Sequence, residues 1–232
     1  MALKRYRNKT CGYCGKNTGP NGEGEHVLPK CIYTKFGSPK IQRLKIPACP
    51  DCNNSWEADE AHFRAMLVIC GPDPTAARRE LWARSLRGLD RPDHGRKEAL
   101  SIAQQFVPSP ILNPYGRPYQ RVFPHKDARV VRVLKKIVRG LTFYRTSQVI
   151  PEDLVDLQPA GPPLPTAYQN GLTALLTIPE IFSAKAFFAD SGADSEVHSV
   201  WVLEFFGTVR FYALVERAGE DSSFHATSPE VL

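Results

Sequence analysis

The longest regular hydrophobic pattern in the chain lies between residues 127 and 144. Apolar side chains recur there every three or four positions, which is typical of an amphipathic helix: Val130, Val133, Leu134, Ile137, Val138 and Leu141. Basic residues occupy the other face of this helix: Arg129, Arg132, Lys136 and Arg139. The basic face has two interpretations, a solvated surface or a surface that follows the phosphates of a nucleic acid.

Three further helices are predicted from spacing and capping residues. The first covers residues 55–70, where apolar side chains recur at helical intervals: Trp56, Phe63, Met66, Leu67 and Cys70. The second begins at Asp73 as N-cap, with Pro74 at its first position, and ends near Gly88. The third covers residues 96–106.

Short apolar or alternating segments predict strands at the two ends of the chain. Residues 25–28 and 42–46 are expected to pair as a two-stranded ribbon. Three strands near the C-terminus are expected to form an antiparallel meander, at residues 184–189, 199–206 and 208–215. Their aromatic side chains are interpreted as core and not as platforms for bases. Prolines predict irregular structure over residues 107–124 and a linker or wrapped loop over residues 146–170.

These elements predict an α+β protein with an N-terminal ββα module, a helical middle and a small C-terminal antiparallel sheet. The predicted divisions are a module at residues 1–70, a helical region at 71–150, a proline-rich linker or loop at 151–170 and a β region at 171–232. A polar tail is expected after Gly219. A chain of 232 residues is long enough to bury a real core.

Charge is concentrated at the N-terminus. Residues 1–52 contain ten Lys or Arg and three Asp or Glu, a balance of +7, whereas the rest of the chain is close to neutral. This distribution is the footprint expected for a polyanion partner, and the alternative is a solubilising surface. No apolar run of membrane-spanning length and no secretory signal is visible, so we expect a cytoplasmic protein without a membrane partner.

Four of the six cysteines form two Cys-x-x-Cys pairs, Cys11 with Cys14 and Cys49 with Cys52. Two such pairs suit tetrahedral zinc, and the alternative, a disulfide framework, needs an oxidising compartment. Gly12 and Gly15 are expected to take positive φ in the first pair so that backbone N–H groups point at the sulfurs. The remaining two, Cys31 and Cys70, are interpreted as small buried hydrophobes.

The residues around these pairs resemble a known family. A Cys-x-x-Cys pair, the segment Glu25–Lys30 (EHVLPK) and a second pair followed directly by Asn53 are similar to the HNH (His-Asn-His) endonucleases, which have a ββα-metal core and a structural zinc. The resemblance spans about the first quarter of the chain. It implies that His26 is the general base, that Glu25 is an acidic metal ligand and that Asn53 is the terminal metal ligand. The chain departs from the family at Leu44, where the central Asn is expected.

The residue types are compatible with this chemistry. Asn53 and Glu57 lie four positions apart and are expected to share a helix face, so that Glu25, Asn53 and Glu57 would form an oxygen-rich site for Mg²⁺ or Mn²⁺. Alternatives stay open: His26 as a structural ligand or a polar strand residue, Asn53 as a helix cap, Glu57 as an acid complementing the helix dipole.

Three basic residues near the predicted ribbon are candidates for binding nucleic-acid phosphates: Lys30, Arg43 and Lys45. His62, deeper in the helix predicted at residues 55–70, is expected to have a surface or core role.

The sequence therefore predicts a metal-dependent endonuclease with a structural zinc and a catalytic divalent cation. DNA is favoured over RNA as its substrate, and the choice between them stays open. The alternative is a zinc-stapled nucleic-acid-binding module without catalysis, which the missing central Asn favours. A protein-interaction scaffold is a third hypothesis, and the basic N-terminal module argues against it.

Overall fold

A computed structural model describes residues 5–35, 43–70, 75–92, 94–112, 115–121, 124–159, 164–189 and 197–217. It has the mixed α+β composition that the sequence predicts, with a helical middle and a C-terminal antiparallel sheet. Two predictions, the helix start at Asp73–Pro74 and the polar tail after Gly219, lie outside the described residues.

The N-terminal part contains a two-stranded ribbon followed by helices. Strand β1 (Glu23–His26) pairs antiparallel with β2 (Lys45–Ala48), so the predicted ribbon is confirmed, with Glu25 opposite Ile46 and His26 opposite Lys45. The predicted helix at residues 55–70 is present as α2 (Glu57–Ile69). A separate short helix, α1 (Pro50–Asn54), precedes it and was not expected.

The middle of the chain is helical, as predicted. Helix α3 (Ala76–Leu89) begins after Thr75, whose hydroxyl accepts a hydrogen bond from the Arg78 N–H at 3.2 Å. This N-cap is two residues later than the predicted one. Helix α4 covers His94–Ala103, and the long helix α5 (Ala128–Thr146) begins after Asp127, whose carboxylate accepts the N–H groups of Arg129 and Val130.

The prediction of irregular structure over residues 107–124 is wrong in part. Strands β3 (Val107–Leu112) and β4 (Pro118–Arg121) form an antiparallel hairpin with a register irregularity between Pro108 and Leu112. Proline is tolerated in a strand where its missing N–H faces away from a partner, and a two-stranded ribbon offers many such positions. The prolines therefore shape this hairpin without preventing it.

The C-terminal sheet has five strands, in the order β5-β9-β8-β7-β6. The three predicted strands are confirmed as β7 (Phe182–Phe188), β8 (Val197–Phe205) and β9 (Val209–Glu216). The two outer strands, β5 (Val155–Pro159) and β6 (Thr173–Ile178), were not expected. Strand β5 and the single helical turn α6 (Thr166–Gln169) lie in the stretch predicted as a linker or loop. The local sequence does not predict β5 as a strand, because the hydrogen bonds that define it come from its pairing with β9.

The inner face of this sheet packs against helices α2 and α5. Alternate residues of β8, including Trp201 and Phe205, are fully buried. The ring of Phe63 on α2 meets the ring of Phe205 edge-on, with centroids 5.4 Å apart. The interpretation of the C-terminal aromatics as core is thus confirmed for these residues, and one hydrophobic cluster joins the N-terminal helices to the sheet.

The basic face of α5 is engaged within the protein and is neither wholly solvated nor left open. Lys136 and Arg139 are buried, the side chains of Arg129 and Arg132 are 34% and 42% exposed, and all four cations bind groups of the protein. Their partners are the carboxylates of Asp59 and Glu98 for Arg129, Asp59 for Arg132, Glu25 and Glu60 for Lys136, and the carbonyl oxygens of Tyr13 and Ile150 for Arg139. The apolar face of α5 is buried as predicted.

His62 connects three helices through a buried hydrogen-bond network. Its fully buried imidazole bonds the Glu98 carboxylate through Nδ1 and Asp127 Oδ2 through Nε2, the latter at 2.7 Å. Burial alone would lower the pKa of His62, but the two carboxylates outweigh it and raise this pKa above its ordinary value, while Arg129 opposes them. His62 is therefore a core residue, and an imidazolium ion ties α2 to α4 and to the N-cap of α5.

This network predicts a pH dependence of stability. The folded protein holds the His62 proton more tightly than the unfolded chain, where the pKa is about 6.5. The stabilisation is therefore complete below that pH and is lost as pH rises through the folded-state pKa of His62. Urea unfolding of the protein and of His62→Gln is measured from about pH 6 to pH 9, and the stability advantage of the intact protein over His62→Gln should shrink as pH rises. The matched variant His198→Gln should keep the slope, and a slope unaffected by His62→Gln would contradict this assignment.

Candidate metal centre and nucleic-acid site

Four cysteine thiols converge at the N-terminal end of the fold. The sulfurs of Cys11, Cys14, Cys49 and Cys52 all lie within 4.8 Å of one another. The Cys14 and Cys49 sulfurs are 3.7 Å apart, far beyond the length of a disulfide bond, and all six cysteines of the chain are free thiols. A cluster of this kind can hold one metal ion, and four thiolates are a donor set that suits zinc.

Local backbone structure brings the two pairs together. The first pair lies in a tight turn in which the Gly15 N–H donates to the Cys11 carbonyl at 3.0 Å. The second pair brackets the start of α1, where Cys49 is the N-cap and Cys52 lies in the first turn. Because the Gly12 N–H donates to the Pro47 carbonyl of β2 at 2.9 Å, the turn is fixed beside the strand that leads into α1. A bound ion would hold the turn of the first pair and the start of α1 together.

The two glycines of the first pair have different roles. Gly15 has φ of +74°, as predicted, which favours glycine because a Cβ is strained there. Gly12 does not have positive φ, and that part of the prediction is wrong. A Cβ on Gly12 would lie 2.5 Å from Ile46 Cδ1 and 2.9 Å from Phe143 Cδ1. The absent side chain thus permits close packing of the turn against β2 and α5.

The remaining cysteines lie outside the cluster. Cys31 is half-buried and its thiol donates to the Glu60 carbonyl at 3.2 Å. Burial raises the pKa of Cys31 to about 12 and that of Cys70, also half-buried, to about 12. Both are inert thiols packed against the core, which agrees with their prediction as hydrophobes.

His26 is the last residue of β1 and is 5% exposed. Its Nδ1 is buried, and no hydrogen-bond partner for it is found among the residues that the structure describes. Burial lowers the pKa of His26 to about 3, and the positive charges of Lys45, Lys30 and Arg43 add to the effect. The three predicted phosphate-binding residues therefore act on the same imidazole, and all three side chains are exposed.

Glu25, the neighbour of His26, is held by a buried lysine. Lys136 of α5 is fully buried and its ammonium donates to the carboxylates of both Glu25 and Glu60. The ammonium also lies 5.7 Å from the centre of the Trp56 ring. Burial raises the pKa of Glu60, and Lys136 opposes that rise. Oε1 of Glu25 is therefore already engaged by a cation, although not by a metal.

Two of the residues predicted to hold a catalytic cation, Glu25 and Asn53, bind other side chains. The Asn53 amide donates to Glu23 Oε2 at 3.3 Å, and Glu57 is an exposed first-turn acid of α2. The argument that placed Asn53 and Glu57 on one helix face is wrong, because α1 ends at Asn54 before α2 begins at Glu57. The alternative of Asn53 as a cap is also wrong, since it lies inside α1.

Within the described parts of the chain, the four cysteines are the one group of three or more His, Cys, Asp or Glu side chains whose ligand atoms lie close enough for a single metal ion. Neither Glu25 nor Glu57 belongs to such a group, and the catalytic divalent cation stays a prediction.

The sequence analysis did not predict two residues of this site, Glu60 and Lys136. Lys136 was assigned to the basic face of α5, and Glu60 was not singled out. The signal in the sequence is complementary charge, since α2 begins with Glu57, Asp59 and Glu60 while α5 carries a basic stripe. Glu60 and Lys136 are 76 positions apart, and charge alone does not specify a pairing over that separation.

No protein-family model, curated protein or solved structure matches this chain. None of the described helices is both long enough and apolar enough to cross a membrane. The assignment of a function therefore depends on the residues of the chain itself.

The cysteine cluster predicts a structural metal that can be removed. We expect the purified protein to contain about one zinc ion per chain, as a four-thiolate site requires. Cys14→Ser should lower both the zinc content and the melting temperature, because metal binding contributes directly to folding free energy. Cys70→Ser, a cysteine outside the cluster, should retain the metal. Elemental analysis and thermal unfolding test both variants, and equal zinc loss in the two would contradict the site.

The buried lysine predicts a second stability effect. Lys136→Met leaves the carboxylates of Glu25 and Glu60 uncompensated, so the unfolding free energy should fall by about 3–5 kcal/mol at neutral pH. The double variant Lys136→Met with Glu60→Gln should recover part of this loss. Lys135→Met, at the half-buried neighbouring position, should change stability by less than about 0.5 kcal/mol. Urea titration measures all three, and a Lys136→Met variant as stable as Lys135→Met would show that the buried pair does not form.

Proposed function

We propose that this chain is an endonuclease that hydrolyses phosphodiester bonds of DNA, with His26 as the general base. The observation that carries the proposal is the position of His26, a buried imidazole whose Nδ1 lacks a partner among the described residues and which is surrounded by exposed cations. Buried ring nitrogens are normally hydrogen-bonded, so an unpartnered one is a mark of a functional site. The resemblance to HNH endonucleases at residues 11–57 supports the same role.

The residues around His26 suit this chemistry. In hydrolysis a water oxygen attacks phosphorus, the bond from phosphorus to the 3′ oxygen breaks, and the imidazole accepts the proton of the water. The departing 3′ oxygen takes a proton from solvent. Lys30, Arg43 and Lys45 would hold phosphate oxygens of the substrate beside the imidazole. Arg43 is placed for this by Tyr33, since its guanidinium lies 4.8 Å above that ring.

A divalent cation at Glu25, Asn53 and Glu57 is not part of this mechanism. The Glu25 carboxylate binds Lys136, and the other two residues lie apart from it in their contacts. Positive charge at the phosphate comes instead from the side chains of Lys30, Arg43 and Lys45. Whether hydrolysis requires Mg²⁺ or Mn²⁺ is decided by the metal conditions of the experiment below.

A second candidate function is a zinc-stapled nucleic-acid-binding module without catalysis. Two observations favour it: Glu25 is neutralised by Lys136, and Leu44 occupies the position of the family's central Asn. Leu44 is half-buried against the core, and its carbonyl accepts the Val27 N–H at 3.1 Å. It thus contributes to the ribbon and cannot orient an imidazole through its side chain. This module would bind nucleic acid through the same exposed cations.

Plasmid cleavage tests the proposal. Supercoiled DNA is incubated with the protein in Mg²⁺, in Mn²⁺ or in EDTA, and the nicked and linear products are measured. His26→Ala should cut at least about 100-fold more slowly, because general-base catalysis contributes that much or more. His198→Ala, at a half-buried histidine of β8 that bonds Gln148, should cut like the intact protein.

Zinc content and circular dichroism of each variant show whether it is folded. Cutting that persists in a folded His26→Ala variant would refute His26 as the base. An intact protein that binds DNA and cuts it under none of the metal conditions would establish the binding module instead. An intact protein that does not bind nucleic acid would refute both functions.

A further inference from the structure

A second strongly basic site lies away from His26, between helices α2, α3 and α4. It is a cavity of about 810 Å³, a size typical of ligand-binding clefts. Six cationic residues line it: Arg64, Arg84, Arg87, Arg91, Lys97 and Arg129. Among the lining residues that the structure describes, Glu98 is the one acid. Such an excess of one charge in a concave surface concentrates anions.

Two of the six cations are neutralised within the protein. Arg84 pairs with Glu80, and Arg129 pairs with Glu98 and Asp59. The carboxylate of Glu98 is further shared with His62. The single acid of the lining is therefore already occupied by two partners and does not offset the remaining positive charge.

Four cations of the cavity have no ion pair with any acidic side chain in the described parts of the chain: Arg64, Arg87, Arg91 and Lys97. Three of them, Arg87, Arg91 and Lys97, are exposed. Cations that fold into a concave surface without a neutralising partner repel one another, and an anionic ligand relieves that repulsion.

Arg64 is held in place at the base of this group. Its Nε donates to the hydroxyl of the buried Ser85 at 3.3 Å, which leaves both terminal nitrogens of the guanidinium for a ligand. Its Nη2 lies 3.8 Å from the position that a Cβ of Gly88 would take, so the guanidinium packs across the small residue of α3. A fixed guanidinium suits phosphate because its fork of N–H groups matches two phosphate oxygens.

The wall of the cavity is joined to the cations beside His26. Arg84 Nη1 donates to the Tyr33 carbonyl at 2.9 Å, and Glu80 Oε2 accepts the Lys35 N–H at 2.8 Å. The same Tyr33 carries Arg43 on its ring. Helix α3 is thus bonded to the segment whose Tyr33 ring contacts Arg43, and direct contacts link the two basic surfaces.

We propose that this cavity binds phosphate groups of the nucleic acid that the His26 site cleaves, as a second and sequence-independent contact. The inference rests on the proposed function. The described residues of its lining include no aromatic side chain on which a base would stack, and consist of cations, Glu98 and small or aliphatic residues. The ligand is therefore a phosphodiester backbone and not a base. Contacts of this kind position a duplex without reading its sequence.

The salt dependence of DNA binding tests this site. The variant Arg87→Gln with Lys97→Gln removes two exposed cations from the cavity. The matched variant Arg96→Gln with Lys185→Gln removes one Arg and one Lys that are exposed and do not line the cavity. Fluorescence anisotropy with a labelled DNA duplex gives Kd over a range of salt concentrations. The slope of log affinity against log salt should become shallower by about 2 in the first variant and stay nearly unchanged in the second.

The outcomes separate this inference from the proposed function. Equal slopes in the two variants would overturn the cavity as a phosphate site and leave the role of His26 untouched. An intact protein that does not bind the duplex would refute the proposed function and this inference with it. If the variant Arg87→Gln with Lys97→Gln has a lower melting temperature, the salt dependence is measured instead on Arg91→Gln, in the segment between α3 and α4. The slope of log affinity against log salt should then become shallower by about 1, and an unchanged slope would overturn the proposal.

Discussion

The arrangement of this protein depends on ion pairs along one side of α5. Arg129, Arg132, Lys136 and Arg139 follow one another at helical spacing, and each binds groups of the N-terminal segments, α4 or the chain after α5. Burying an ion pair costs desolvation energy that can exceed the attraction, so a buried pair adds little net stability, whereas removing one partner is strongly destabilising. A helix with apolar residues on one face and fixed cations on the other has one orientation in which both are satisfied.

The same contacts define the chemistry that the candidate site can perform. Lys136 draws Glu25 and Glu60 together and so places its ammonium group next to the strand that ends at His26. A Glu25 carboxylate that turned to a metal ion would leave Glu60 as the one described carboxylate on this buried ammonium. The fold therefore sets a conflict between two uses of Glu25, as a structural partner of α5 and as a metal ligand. The two functions proposed above differ on this point. The endonuclease requires that catalysis proceed without Glu25 as a metal ligand, whereas the binding module requires no catalysis.

The features that sequence predicted are local ones. The cysteine pairs, the ribbon, the central strands of the sheet and the limits of α5 depend on spacing over a few residues, and spacing is visible in a sequence. Strands β5 and β6 were not predicted because edge strands need little hydrophobic pattern of their own once a neighbouring strand supplies hydrogen bonds. The partners of the α5 cations were not predicted for a related reason. Lys136 and Glu60 lie 76 positions apart, and Lys136 and Glu25 lie 111 apart, so only the folded chain pairs them.

Net charge is a poor guide to a binding surface until the paired charges are set aside. The basic stripe of α5 looked like the strongest candidate outside the cysteine module, yet its cations are used internally. The cations that remain for a ligand include Lys30, Arg43 and Lys45 near His26 and the unpaired group in the cavity between α2, α3 and α4. A polyanion is attracted by charges that the fold has not already neutralised, because only those release bound counterions on contact. The two basic surfaces proposed for a ligand thus lie outside α5, whose cations hold the fold together.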